Sequence, residues 1–264
     1  MSGRWRLLAL GAIGWATLGR PARAQDTTAR SGVPVAADTD TVPPRALPVN
    51  GLLLRPQQLS YEMRLVFPDS THLVGTRDVD IEHSTYGAFP AWLIAETRTG
   101  SVPATDTLYL SYVDLRPLHW TSTLGGQSRM ALEFTADSLY GGTSGPSGNQ
   151  SIMLAHGRDL VAGSAMTEVV LQLMPHRVGR VDSVSVLEVD LGASRIIPGA
   201  LSVDGEQDLD TALGRFHCWV ISLTTPDGVV HYWLSESDPV VVRMRQDLPH
   251  RPGVGFEEAL VDRR

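Results

Sequence analysis

The chain has 264 residues, is 42% hydrophobic and 19% charged, and carries a formal charge of −7. This is ordinary globular composition, which excludes a collagenous or wholly disordered chain. All 22 basic residues are arginine, so Schiff-base, P-loop and kinase-type lysine chemistry is excluded.

The N-terminus reads as an export address. Arg4 and Arg6 precede the apolar run Leu7–Leu18, and the small residues Ala22 and Ala24 flank Arg23 before Gln25. That order predicts a secretory signal over residues 1–24, cleaved after Ala24. The run is shorter than the roughly 20 residues a spanning helix needs, and no Cys follows to carry a lipid. Removing residues 1–24 takes away four arginines and no acid, leaving 18 arginines against 29 acidic residues. The expected mature chain is periplasmic or secreted, has no transmembrane segment, and lacks the basic footprint that nucleic-acid binding requires. Residues 25–50, rich in Thr, Asp, Ala and Pro and without an aromatic, predict a disordered linker. Residues 51–264 then form one folded domain.

From there the pattern is mostly period two. Leu59–Phe67 and Leu73–Ile81, separated by Pro68-Asp69-Ser70, predict an antiparallel hairpin. Strands are predicted at 91–98, 107–114, 118–123 and 129–135, and a flexible loop at Gly141–Gln150. A short strand at 151–155 precedes a helix in which Leu160, Gly163, Met166, Val169, Val170 and Leu173 recur at helical spacing. Asp159 is its predicted N-cap, and Pro175 its stop. Strands resume at 183–189, 201–203, 215–224, 229–235, 240–246 and 255–262, with Pro226-Asp227-Gly228 as a hairpin turn. About ten strands and one helix predict a mainly β protein: a curved antiparallel half-barrel with the helix packed on its concave face.

Chemistry is sparse. Gly-x-Gly-x-x-Gly, Walker, His-Glu-x-x-His and paired-Cys patterns are all missing. The serines of Gly142-Thr143-Ser144-Gly145 and Gly163-Ser164-Ala165 lack a nucleophile elbow. The lone Cys218 lies in a strand pattern, where Cys is usually a buried core residue. Asp78/Asp80 and Glu257/Glu258 read as solvated strand positions. His217 and His231, placed together beside Trp219 and Trp233 by parity, are either half of an acid/base or metal site or two ordinary semi-buried histidines. A hydrolase would need two or three of His217, His231, Asp227 and Glu236 to converge in a cleft. No catalytic or metal-ligating set and no cofactor is predicted. The aromatic and Met-bearing face is left, with Tyr61, Met63, Tyr112, Trp120 and Tyr232 as the candidate lining for an apolar ligand.

The C-terminal third carries Gly214-Arg215-Phe216-His217-Cys218-Trp219, then Tyr232-Trp233-Leu234-Ser235, then Glu257-Glu258-Ala259-Leu260. It is similar to the closing strands of the DUF3108-type periplasmic proteins. The strand Leu59–Phe67 and the segment Thr107–Leu118 fit the same layout. The resemblance implies an antiparallel half-barrel of the LolA/LolB-like kind with a helix over the concave face, and it brings no catalytic residues. The expected function is therefore a non-enzymatic cell-envelope protein holding an apolar or lipid-like ligand between sheet and helix. The alternative is a structural or assembly partner of an envelope protein with no small ligand.

Overall fold

The computed structural model describes residues 49–145, 148–189, 194–248 and 251–264. The predicted signal, most of the predicted linker and His250 lie outside the described residues. A 3-10 turn at Gly51–Leu53 opens the fold. Eight strands follow: β1 (Gln57–Phe67), β2 (Ser70–Tyr86), β3 (Phe89–Arg98), β4 (Ala104–Ser111), β5 (Pro117–Leu124), β6 (Gln127–Phe134), β7 (Ser138–Gly145) and β8 (Gly148–Ala155). The short β9 (Leu160–Ala162) leads into the helix α1 (Gly163–Leu173). The remainder is β10 (Val181–Val189), β11 (Ser194–Thr211), β12 (Gly214–Thr225), β13 (Gly228–Ser235), β14 (Val241–Asp247) and β15 (Gly255–Arg263).

All fifteen strands form one curved, unclosed sheet, in the order β8 to β1, then β15 back to β9. Among the described residues only β9 and β10 run parallel; every other pairing among them is antiparallel. The chain thus walks from the sheet centre to one edge at β8, passes through residues 156–159 to β9 at the other edge, joins β9 to the parallel β10 through α1, and returns from there to pair β15 with β1. Alternation sends one set of side chains inward on each strand. In β2, Val79 and Ile81 point inward and are buried, while Asp78 and Glu82 stay exposed.

The helix fills the concave side. Every residue from Met166 to Gln172 is buried, polar Thr167, Glu168 and Gln172 among them. A helix buried all round must satisfy those polar groups internally, and that requirement builds the site described below.

Three expectations need correction. Asp159 does not cap the helix. Its carboxylate accepts from the Ser185 hydroxyl (2.8 Å) and its carbonyl from the Ser185 amide (3.0 Å), which draws residues 160–162 into the sheet, and Ala162 is the N-cap. A short apolar run such as Leu160-Val161-Ala162 serves a buried strand as well as a helix. The segment Gly141–Gln150 is not a loop: β7 and β8 pair through it, Thr143 opposite Gln150 and Gly145 opposite Gly148. Glycine-rich strands carry no hydrophobic alternation to read. Strand β11 runs for 18 residues rather than three.

Gly163 opens α1 at φ +76°, and a Cβ there would stand 3.1–3.2 Å from the Trp120 ring. Both the backbone sign and the space favour glycine. Gly163→Ala is expected to cost about 1–3 kcal/mol, read from the urea midpoint; an unchanged midpoint would show that this start of the helix tolerates rearrangement.

Candidate functional site

The concave face carries a charged knot where α1 meets the sheet. Arg77 of β2 occupies an inward position on an otherwise apolar row and is fully buried, with 0% of its surface exposed. Its Nη1 donates to Glu168 Oε1 of α1 (2.7 Å) and to Glu258 Oε2 of β15 (2.8 Å). Its Nη2 lies 2.9 Å from Glu96 Oε2 of β3. Glu96 also pairs with Arg98, which reaches Asp106 Oδ2 of β4 (3.2 Å) and the Ser164 hydroxyl of α1 (3.2 Å). At the far end of the helix, Gln57 Nε2 donates to Gln172 Oε1 (2.8 Å).

Two tyrosines complete the surroundings. The Arg77 guanidinium lies over the Tyr61 ring, 5.2 Å from its centroid. The Tyr61 hydroxyl is buried without a hydrogen-bond partner. Burial, and then the Glu168 carboxylate, push the Tyr61 phenol well up. Burial followed by Glu168 and Glu258 does the same to Tyr232. Tyr232 faces the same ionic group from β13.

The charges do not balance when all are ionised: Arg77 and Arg98 face Glu96, Glu168, Glu258 and Asp106. Burying an excess of anions is costly, and that cost pushes carboxyls up. Burial outweighs the Arg77 attraction at Glu168 and pushes its carboxyl up to about 7. Burial likewise raises Asp106 against the pull of Arg98. Glu96 ends below the usual range: the opposing attraction of Arg77 and Arg98 exceeds its desolvation.

A protein-family model described as Protein of unknown function (DUF3108) matches residues 60–250. The chain belongs to the DUF3108 family. The match spans β1 to β14 and takes in Arg77, Glu96 and Glu168, while Glu258 lies beyond it. Among solved structures, the hypothetical lipoprotein YmcC from Escherichia coli (K12) resembles the chain at 13% identity, over 76% of this chain and 86% of that one, with a TM-score of 0.33. No curated protein matches the chain.

The five candidate lining residues do not form one lining. Tyr61, Met63 and Tyr232 lie around the knot: Met63 opposes Glu258 in the register, and Tyr232 opposes Met244. Trp120 sits at the N-terminus of α1 against Gly163. Tyr112 lies apart, stacked on Trp92 at 5.5 Å, near the 3-10 turn, where the Trp92 indole donates to the Gly51 carbonyl (3.1 Å).

The His217/His231 pair does not form. The β12–β13 register places Ser222 opposite His231, Leu234 opposite Trp219 and Trp233 opposite Val220. The two histidines, like the two tryptophans, therefore lie on opposite faces of the hairpin. The Ser222 hydroxyl meets His231 Nδ1 at 2.9 Å. His217 meets Asp208 (2.7 Å) and Glu206 (3.3 Å) at an exposed strand end, and these carboxylates raise it. Glu236 is 3.8 Å from His217, whereas Asp227 binds Arg195. The four residues do not converge. Among the described residues, no group of three or more His, Cys, Asp or Glu is disposed to hold a metal ion. Cys218 is buried, and burial pushes its thiol up to about 11, which suppresses the reactive thiolate.

Glu258 is not a solvated strand position; only Glu257 beside it is partly exposed. Sequence reasoning missed the knot although a signal existed. Arg77 shares its inward parity with Val79 and Ile81, and Glu258 shares its own with Phe256 and Leu260. A charge on the apolar parity of a strand marks a buried ion that needs a partner.

Proposed function

We propose that the protein is a non-enzymatic binding protein of the cell envelope, exported through residues 1–24, whose single domain over residues 51–264 holds an apolar or lipid-like ligand on the concave face. In this reading α1 occupies the ligand's place and yields it. Tyr61, Met63, Trp120 and Tyr232 line the vacated trough, and Tyr112 stays outside it on Trp92. The observation that carries the reading is how the helix is held. Its apolar residues Val169, Val170 and Leu171 are replaceable by any apolar body of similar volume, because hydrophobic burial is non-directional. Its specific anchors are few: Glu168 on Arg77, Ser164 on Arg98, and Gln172 on Gln57. Gly163 and Gly179, both at positive φ, flank the helix and supply backbone freedom on either side.

The test is native mass spectrometry of the protein purified from an envelope fraction, solvent extraction, and hydrogen exchange of α1. A bound lipid, with faster exchange at 166–173 in the loaded form, is the expected result. A bare mass, together with α1 exchange unaltered by added lipid, would overturn the reading.

The second reading, an assembly partner without a small ligand, is favoured by the edge strand β8. Among the described residues it pairs with β7 alone. Met153 is 83% exposed beside its register partner Tyr140 at 48%. An uncovered edge with apolar side chains is a template for strand addition.

A further inference from the structure

We infer that the ligand taking the place of α1 is a single-chain carboxylic acid, its head group seated on Arg77 and Tyr61 where the Glu168 carboxyl now lies. The inference rests on the displacement reading above and adds the chemistry of the head group.

Of the three carboxylates on Arg77, Glu96 and Glu258 belong to the sheet and stay with it. Only Glu168 belongs to the element that leaves. When α1 lifts, Arg77 Nη1 loses one of its two acceptors in a buried setting, and an ion left short of partners there is costly. A ligand that supplies only hydrocarbon leaves that defect unrepaired. Beneath the guanidinium lies the Tyr61 ring, whose buried hydroxyl already lacks a partner. The bare sheet therefore leaves the Arg77 guanidinium short of an acceptor at Nη1, with Nε already lacking one, above a tyrosine whose hydroxyl has no partner, and a carboxyl group brings two acceptor oxygens to such donors.

The charge count narrows the choice among acids. Without the helix, the sheet still sets Glu96, Glu258 and Asp106 against Arg77 and Arg98. A permanently ionised head adds uncompensated negative charge, whereas a carboxyl can take up a proton. Sulfates lack that recourse. The chain attached to the head would replace the apolar side chains of α1, which share one continuous core with Met63, Ile221 and Tyr232.

The experiment is calorimetric titration of the protein at pH 6.5 with decanoate, decanol and decyl sulfate, each kept below its solubility or micelle limit. Decanoate is expected to bind about tenfold more tightly than either of the others, the scale of one charge-assisted hydrogen bond. Tyr61→Phe removes a hydroxyl that the helix-filled state does not use, so folding should be spared. It should weaken decanoate about threefold to tenfold and leave decanol unchanged. Arg77→Gln, where it folds, should abolish the preference. Equal affinity for decanol or decyl sulfate, or a Tyr61→Phe protein that binds decanoate like the parent, would overturn the head-group assignment and leave the displacement reading standing. Failure of all three amphiphiles to bind would overturn both.

Discussion

Arg77→Met is expected to remove about 3–5 kcal/mol of stability near neutral pH. The reason is not the lost attraction alone. Glu96, Glu168 and Glu258 remain buried around a vacancy of charge, and each must then bear its desolvation or take a proton. The deficit should shrink at pH 5, below the raised range of Glu168, whose carboxyl burial pushes up to about 7. Urea unfolding of the parent and variant at pH 5 and pH 8 measures both quantities. A loss below about 1 kcal/mol at pH 8, the range of an exposed pair, would show that the knot is hydrated and only loosely coupled to the fold. The corresponding apolar set, with Arg77 and its three partners all replaced by residues of similar volume, should recover much of the loss, because removing buried ions together avoids unpaired charge.

Stability should fall as pH rises through 7, and Glu168→Gln should remove most of that slope. Glu168 has its carboxyl raised from an ordinary 4.5 to about 7 by burial, so the folded protein binds its proton more tightly than the unfolded chain does. The contribution is fully present below about 4.5 and is lost as the pH passes about 7. A displacement of this size corresponds to about 3 kcal/mol at pH 8 relative to pH 4.5. The groups facing Glu168 are Arg77 on β2, Glu96 on β3, Glu258 on β15, Tyr61 on β1 and Tyr232 on β13. Neither phenol titrates in this range, because both are pushed up. Asp106, also raised, adds a smaller slope of the same sign that Glu168→Gln leaves behind. Glu96, lowered, acts oppositely and only in the acid limb. Urea midpoints from pH 5 to pH 8.5 decide the matter. A parent profile that is flat or rising across pH 7 would show that Glu168 is ionised throughout.

Much of the architecture was legible because most strands carry clean alternation. Residues 59–67, 91–98, 129–135 and 229–235 each lie within or nearly within an observed strand, and one helix was correctly set against the concave face. The failures have physical causes. Strand β7 is rich in Gly, Thr and Ser and gives no periodic signal, although its backbone pairs fully between Met130–Phe134 and β8. The helix start was misplaced because Asp159 finds a tertiary partner in Ser185, and a local capping rule cannot see residues 26 positions away. The histidine pair failed on register: the two-residue Pro226-Asp227 turn brings Ser222, not His217, opposite His231. For the site, parity did place Tyr61, Met63 and Tyr232 inward. It did not reveal their neighbours, since the partners of Arg77 come from positions 96, 168 and 258.

The order of the strands also sets when the parts can meet. Strands β1–β8 and β10–β15 are two runs of neighbouring hairpins, contacts of short sequence separation that form early. Joining them requires β1 to find β15, about two hundred positions along the chain. Arg77 comes from the first run, Glu258 from the second and Glu168 from the helix that joins β9 to β10, so this cluster exists only once all three pieces have docked. Interactions absent from the folding transition state govern the unfolding rate rather than the folding rate. The knot is thus a clasp closed last, and its strength sets how long the assembled molecule stays shut.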